Sequence, residues 1–368
     1  MVKLLPFEIM RKPARAAAVV LGAAAVAVGA TAVLAGGAVA APQARVLETG
    51  SSLLYPLFNL WVADYSKSHP SLQITTQSTG SGTGIAQAIS GIAQIGASDA
   101  YLSDPQMRKN PGMLNIPLAV SAQMVNYNVP GLNNRHLKFS GPVLAGIYTG
   151  QIRTWDAPQI KALNPGVPLP HHAIIPVHRS DGSGDTFIFT QFLSFSTPSW
   201  GNSIAYGTTV SWPAVQGAIG ANGNPGMVNA TKGTPYSISY IGVSFRKATE
   251  QAGLGEAMLQ NRAGKFVMAS GKTISAATAA MAPKTPADER VSLIFAPGAE
   301  SYPIINYEYA IVKQQQPSPA MASVLKTFFT WAISPTGGNS PKYLNQVGFV
   351  PLPAAVRQLS LKQIATIR

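Results

Sequence analysis

The chain has 368 residues, of which 46% are hydrophobic and only 11% are charged. Its length leaves room for two domains, and its apolar content excludes wholesale disorder. With 27 Lys and Arg residues against 14 Asp and Glu residues, the formal charge is +13. The absence of cysteine excludes disulfides, zinc–thiolate sites, cysteine nucleophiles and a lipid anchor on cysteine.

Residues 1–40 have the pattern of an export signal. A basic start precedes an uncharged run from Ala16 to Ala41, and Ala38-Val39-Ala40 fits the small-residue pattern of signal peptidase. We expect a cleaved signal peptide over 1–40. The run is also long enough to span a bilayer, so an uncleaved anchor is the alternative. Either way, we expect the rest of the chain to be periplasmic or otherwise extracytoplasmic.

The remaining chain alternates strand and helix patterns. Three predicted strands lead into turns rich in serine and glycine, and each turn opens a helical pattern, with Ser52 as the expected cap of the first helix. The strands, turns and helical segments are 46–49, 50–52 and 57–65; 72–77, 79–84 and 85–92; and 174–178, 179–185 and 186–195.

Later segments complete the prediction. Asp156 is expected to cap a helix, and residues 215–236, rich in Gly, Asn and Pro, are expected to form a long loop. A strong strand is predicted over 304–312, and helices over 322–331 and 361–367.

The three turns indicate an oxyanion site. The first N–H groups of a helix have no partner inside it, and the helix dipole adds partial positive charge there. One such end is an ordinary cap, but three in one basic exported chain favour anion binding. From the residues alone we predict an α/β protein that binds an oxyanion, and the identity of the anion stays open.

Other chemistries lack their motifs. Basic residues are scattered without interleaved aromatics, which argues against a nucleic-acid partner. Gly271-Lys272-Thr273 resembles the end of a P-loop, but Phe266 stands where the loop needs glycine. Neither Ser81 nor Ser183 lies in a G-x-S-x-G elbow. His171-His172 has no third metal ligand at a useful spacing, so we expect no metal and no cofactor.

Acids occur at the turns although acids are scarce. Asp99 follows Gly96-Ala97-Ser98, and Asp181 and Asp185 lie in the third turn. A carboxylate only accepts hydrogen bonds, so it suits an anion that still carries a proton, as phosphate does and sulfate does not. Arg179 would supply the opposite charge. The alternative for Arg179 and Asp181 is a plain salt bridge within the turn.

At these motifs the chain resembles the phosphate-binding protein (PstS) family of bacterial phosphate ABC importers. The resemblance covers about residues 46–368 and rests on the segments 48–53, 79–82, 95–99, 152–156 and 179–184. It implies an α/β fold of the two-lobed type II periplasmic-binding class, with a hinge and an interdomain anion cleft. Lobe I would comprise 46–123 and 305–368, and lobe II would comprise 124–304.

The resemblance also implies the roles of the site residues. Asp99 would accept the ligand's proton, Arg179 would be the buried cation and Asp181 would orient it. The expected phosphate contacts are Ser51, Ser52, Leu53, Ser81, Asp99, Arg179, Ser183, Gly184 and Asp185. Many family members have threonine where this chain has Asp185. That acid either faces the cleft as a second acceptor or turns outward and caps its helix.

The function implied is high-affinity binding of inorganic phosphate and its delivery to the permease subunits of an ABC importer. We expect a monomer and no enzymatic activity. Two alternatives use the same anion cradle. A secreted phosphate-ester hydrolase would need a metal cluster or an activated nucleophile, and a surface protein would fit retention of the N-terminal segment.

Overall fold

The computed structural model describes residues 44–368, so the predicted signal peptide over 1–40 lies outside the described residues. Within 44–368 the chain forms twelve strands and thirteen α-helices. The strands are β1 Ala44–Gly50, β2 Leu72–Ser78, β3 Ile95–Ser98, β4 Met113–Asn128, β5 Lys138–Phe139, β6 Ile175–Arg179, β7 Ile219–Ala221, β8 Ser237–Gly242, β9 Gly255–Glu256, β10 Met258–Gln260, β11 Phe266–Val267 and β12 Ile305–Lys313.

The helices alternate with these strands over much of the chain. They are α1 Tyr55–Ser68, α2 Ser81–Ser90, α3 Asp104–Lys109, α4 Gly141–Tyr148, α5 Pro158–Leu163, α6 Gly184–Ser196, α7 Pro198–Ser203, α8 Gly223–Gly233, α9 Arg246–Gln251, α10 Gly271–Met281, α11 Pro319–Ala332, α12 Pro341–Val347 and α13 Ala354–Ala365. None of the helices found in residues 44–368 combines the length and apolarity needed to cross a bilayer.

One large sheet organises the structure. Its strands lie in the order β2-β1-β3-β12-β4-β8-β6-β7, and β9 pairs with β4 beside this path. The three strands at each end run parallel to one another, whereas β12 and β4 in the middle are antiparallel to their neighbours. α/β sheets bind ligands at the carboxyl ends of their parallel strands. The sheet has two such edges, one in the parallel set β2-β1-β3 and one in the parallel set β8-β6-β7.

The centre of the sheet is buried on both faces. Eight of the nine residues of β12 are buried, and β4 is buried along nearly its whole length. Such strands read as continuous apolar runs rather than as alternating patterns. Helix α1 adds Phe58 and Trp61, which pack edge-to-face and both contact Phe328 of α11.

The turn after β1 requires glycine. Gly50 has a φ of 140°, and a Cβ atom there would lie 2.0 Å from the carbonyl oxygen of Ala97. The next N–H group, that of Ser51, donates to the same carbonyl oxygen at 2.9 Å. The backbone of β1 is therefore pressed against β3 where the first serine turn begins.

The predicted strands and helices are largely confirmed, with three exceptions. The long loop over 215–236 is wrong, because β7 and α8 lie within it. Ser52 is not the cap of α1, whose N-cap position is Leu54. Asp156 caps no helix, since α5 starts at Pro158 and the Asp156 carboxylate instead binds Lys161 and His171.

A buried acid ties the segment before β12 to the C-terminal helix. Glu289 is fully buried, and its carboxyl oxygens accept hydrogen bonds from Ser360 Oγ at 2.8 Å and Gln363 Nε2 at 2.6 Å, both in α13. Burial raises the pKa of Glu289 to about 8, although these two donors oppose the shift.

We predict that Glu289→Gln removes part of the loss of stability that occurs as the pH rises from about 4.3 to about 8. The folded-state pKa of Glu289 lies above the unfolded value of about 4.3, so its contribution to stability is fully present below about pH 4.3, declines as the pH rises, and is lost once the pH passes about 8. Between those two pH values, the free energy of unfolding of the variant should rise relative to that of wild type by up to about 1.4 kcal/mol per pH unit. Urea unfolding from pH 5 to 9 measures this.

The exposed acid Glu300 provides the control. Glu300→Gln should follow the wild-type pH profile. If Glu289→Gln also follows it, Glu289 is ionised in the folded protein at neutral pH and the assignment is wrong.

Candidate anion-binding site

The predicted site residues meet where the parallel strands end. The turns that follow β1, β3 and β6 converge, and the turn between β2 and α2 joins them. All the predicted contact residues are buried. Gly184 is among them, and the other eight are each 3% exposed or less: Ser51, Ser52, Leu53, Ser81, Asp99, Arg179, Ser183 and Asp185. Asp181 lies at the edge of this cluster and is half-buried.

Asp99 lies between two of the serine turns. Ser51 Oγ donates to Asp99 Oδ1, and Ser81 Oγ lies 3.4 Å from Asp99 Oδ2. The N–H group of Asp99 donates to Ser81 Oγ at 3.2 Å. Burial raises the pKa of Asp99, while these hydroxyls and the charge of Arg179 oppose the rise. The turns after β1, β2 and β3 thus share one buried carboxyl group.

Arg179 holds two carboxylates at the end of β6. Its Nε donates to Asp181 Oδ1 at 2.7 Å, its Nη2 donates to Asp181 Oδ2, and its Nη1 donates to Asp185 Oδ2 at 2.6 Å. The Arg179 side chain is only 1% exposed. Burial works to raise the pKa of Asp181, but the hydrogen bond and charge of Arg179 hold it below its ordinary value. A salt bridge within the turn is therefore present, and a second one reaches into α6.

Asp185 faces inward. Its Oδ1 accepts from Gln123 Nε2 at 3.1 Å, and its Oδ2 accepts from Asn224 Nδ2 at 2.8 Å as well as from Arg179. Burial, followed by the charge of Asp99, raises the pKa of Asp185 to about 7.

Helix α6 is capped by Ser183 and not by Asp185. Ser183 is the N-cap of α6, and its Oγ accepts from the N–H group of Thr186 at 3.2 Å. The alternative in which Asp185 turns outward and merely caps its helix is therefore wrong, because its carboxyl group is buried against Arg179.

Glycines bring the turns into close contact. The N–H group of Gly82 donates to the carbonyl oxygen of Gly182 at 2.8 Å, which joins the second turn to the third. A Cβ atom on Gly184 would lie 2.4 Å from Asp99 Oδ2 and 2.5 Å from Ser81 Oγ. The first turns of α2 and α6 therefore lie against each other and against Asp99.

A fourth strand–turn–helix unit completes the cluster, and the sequence analysis missed it. Asn224, in the first turn of α8 after β7, is fully buried. Its N–H and Nδ2 groups donate to Ser52 Oγ at 3.1 and 2.9 Å, and its Oδ1 accepts from the N–H group of Gly242 at 2.9 Å. The Asn222-Gly223 turn of this unit lacks the serine of the other three turns and lies in a segment that the sequence analysis assigned to a loop.

Three carboxyl groups and one guanidinium share this buried cluster. The charges of Asp99, Asp181 and Asp185 exceed that of Arg179 when all three acids are ionised, so a bare anion meets net repulsion. An anion that carries a proton can donate a hydrogen bond to a carboxylate, while N–H groups and hydroxyls donate to its other oxygens. Within residues 44–368 no group of three or more His, Asp or Glu side chains is placed to hold a metal ion.

The two histidines considered as metal ligands lie elsewhere. His171 Nδ1 contacts Asp156 Oδ1 at 3.0 Å, and the His172 ring stacks on Tyr236 with a centroid distance of 4.0 Å. Both are surface arrangements outside the cluster.

The chain is similar in sequence to a known superfamily domain and to known phosphate-binding proteins. A family model of the PBP superfamily domain matches residues 36–336. The phosphate-binding protein PstS of Methanocaldococcus jannaschii is 34% identical over 347 residues, covering 89% of this chain and 87% of the relative. That of Haemophilus influenzae is 32% identical over 307 residues, covering 83% and 88%.

Solved structures agree on the fold. The periplasmic phosphate-binding protein PfluDING, bound with phosphate, has a TM-score of 0.68 at 21% identity and covers 88% of this chain and 93% of its own. A phosphate transporter substrate-binding protein from Clostridium perfringens has a TM-score of 0.60 at 16% identity, covering 84% and 100%. With the family model, these likenesses confirm the two-lobed α/β periplasmic-binding fold.

We predict that Asn224→Asp destabilises the protein and that the cost grows with pH. A carboxylate at this position would lose the donor that serves Asp185 and would repel that acid once both are ionised. Leaving buried partners unpaired costs about 1–3 kcal/mol each. Urea unfolding at pH 5 and pH 8 measures the change.

The exposed neighbour Asn222 offers a matched control. Asn222→Asp should change the free energy of unfolding by less than about 0.5 kcal/mol at both pH values. Equal costs for Asn224→Asp at pH 5 and pH 8 would show that Asp185 does not ionise in this range.

Proposed function

Because this chain belongs to the PstS family of phosphate-binding proteins, we propose that it binds inorganic phosphate outside the cytoplasm and delivers it to an ABC importer. The observation that carries the proposal is Asp99, a buried carboxyl group that receives hydroxyl hydrogen bonds from two helix-opening turns. A carboxylate in an anion site selects a ligand with a proton to donate. Phosphate at neutral pH keeps one or two protons, whereas sulfate has none.

The other site residues take complementary roles. Arg179 supplies the charge opposite to that of the ligand, and Asp181 fixes its guanidinium plane through two hydrogen bonds. Ser52 Oγ already accepts two hydrogen bonds from Asn224, so its single proton is available to a phosphate oxygen. The remaining donors are hydroxyl and N–H groups of Leu53, Ser81, Ser183, Gly184 and Asp185. The N–H group of Ser51 donates to Ala97 and its hydroxyl donates to Asp99, so Ser51 would contact phosphate by turning its hydroxyl from Asp99 to the ligand.

We propose lobe boundaries that coincide with a change of strand pairing. Along β4, Ala122 is the last residue paired with β12, and Gln123 is the first paired with β8. This change supports lobe I as 46–123 with 305–368 and lobe II as 124–304. The hydrogen bond from Gly82 to Gly182 would then join the two lobes and form when they close on phosphate.

The partners and compartment follow from the same family membership. We propose that the permease subunits of a phosphate importer receive the ligand, that the protein works as a monomer, and that it is exported by its N-terminal segment without a cysteine-linked lipid. The relatives are binding proteins rather than enzymes, and the hydrolase and surface-protein alternatives gain no support from them.

We predict that Asp99→Asn weakens phosphate binding by roughly 10-fold to 100-fold, because a charge-assisted hydrogen bond contributes about 1.5–3 kcal/mol. It should also narrow the preference for phosphate over sulfate, since an amide can donate to a bare oxygen. Calorimetry with both anions measures the two effects. Asp104→Asn, at an exposed acid on α3, is the control and should match wild type. An unchanged preference in Asp99→Asn would refute the assigned role.

We predict that Arg179→Ala weakens phosphate binding more than Arg179→Lys, and both several-fold or more. Lysine keeps the charge but loses the planar fork. Fluorescence or calorimetric titration of the folded variants measures this, with the exposed Arg153→Ala as control. If Arg179→Ala lowers the melting temperature and leaves the dissociation constant unchanged, Arg179 is only a structural salt bridge.

Phosphate affinity is predicted to fall as the pH rises through neutrality. The pKa of Asp185 is raised to about 7, so this acid gains negative charge beside the ligand over the range in which phosphate loses its second proton. Asp185→Thr should flatten the profile, because threonine does not ionise. Parallel titrations from pH 5.5 to 8.5 compare the two proteins, and superimposable curves would leave Asp185 without a role in protonation preference.

A further inference from the structure

Glu308 is a buried acid that the site described above does not use. It lies in β12, where the register that pairs Tyr309 with Ser98 brings Glu308 level with Asp99. The two side chains are 0% and 2% exposed. Asn306 Nδ2 donates to the carbonyl oxygen of Asp99 at 3.3 Å and to Glu308 Oε1 at 3.1 Å, which places the two acids side by side. Glu308 is also recognisable in the sequence as the only acid among the nine residues of β12.

A hydrogen bond between the carboxyl groups of Asp99 and Glu308 requires a proton on one of the two acids. Ionised carboxylates are acceptors only, so two of them cannot bond to each other. Glu308 Oε1 lies 2.5 Å from Ser121 Oγ and accepts from Asn306 Nδ2 at 3.1 Å. Glu308 Oε2 is buried and has no hydrogen-bond partner. It is therefore the oxygen free to carry the proton.

The surroundings place the negative charge on Asp99. Asp99 receives hydroxyl donors from Ser51 and Ser81 and faces the positive charge of Arg179. On the side of α6, burial and then the charge of Asp99 raise the pKa of Asp185 to about 7. For Glu308, burial and then the charge of Asp99 raise the pKa well above its ordinary value.

We propose that Glu308 is a positioning residue that stays protonated, donates a hydrogen bond to Asp99, and thereby keeps Asp99 an ionised acceptor that rejects sulfate. This inference rests on the proposed function, in which Asp99 detects the proton on phosphate. Without the Glu308 donor, the buried Asp99 would take up a proton itself. A protonated Asp99 can donate to a bare oxygen, so the site would tolerate sulfate.

Two substitutions separate this role from simple packing. Glu308→Gln keeps a donor for Asp99 and an acceptor for Asn306, and it should retain the wild-type ratio of sulfate to phosphate dissociation constants within about threefold. Glu308→Leu fills similar space without a donor, and the ratio should fall at least tenfold. Calorimetry at pH 7 on folded protein gives both constants.

Each result bears on a different claim. Wild-type protein that fails to bind phosphate refutes the proposed function and, with it, this inference. Wild-type protein that binds phosphate, with Glu308→Leu keeping the wild-type ratio, overturns only the inference about Glu308.

A direct measurement covers the case in which Glu308→Leu does not fold. Carboxyl-carbon NMR of wild-type protein labelled at glutamate, assigned by comparison with Glu308→Gln, reports the protonation of Glu308. We expect its signal to remain at the protonated position to pH 7. A Glu308 signal that titrates near the ordinary value of about 4.3 overturns the proposal.

Discussion

The structure depends on placing more buried carboxyl groups than cations at a site for an anion. Arg179 neutralises one charge, and Asp99, Asp181 and Asp185 all lie within its network. Desolvation makes each uncompensated charge costly, so protons must take part. Some can come from the protein, as proposed for Glu308, and the rest from the ligand. Under the proposed function, this constraint would turn a general oxyanion site into one that selects a ligand with a proton to donate.

The fold supplies this arrangement through the ends of its parallel strands. Each of four strand–turn–helix units delivers a short polar turn, and glycine lets the backbones approach more closely than a side chain would allow. Asn224 shows how the units depend on each other, because it joins Ser52 of the first turn to Asp185 of the third. The change of pairing along β4 at Gln123 gives the sheet a natural place to bend between the proposed lobes.

Much of this was predictable from the sequence, for local reasons. Repeated strand, serine–glycine turn and helix patterns specify both the α/β class and the donors, so Ser51, Ser81 and Arg179 could be found one turn at a time. Asn224 could not, because its partner Ser52 is 172 positions away. Helix α8 was missed because its glycine and asparagine content suggests a loop, whereas burial of Met227 and Val228 stabilises it. The inward orientation of Asp185 likewise depends on Arg179 and Gln123 together.

The most direct test is the pair of dissociation constants of the wild-type protein for phosphate and sulfate at pH 7. Both anions are tetrahedral and of similar size, so the contrast isolates the ligand proton. The account predicts that sulfate binds roughly 10⁴-fold more weakly or worse, as expected when a buried acceptor is left unpaired. Sulfate affinity within tenfold of phosphate affinity would contradict it, because the buried carboxylates would then not be selecting for a protonated ligand.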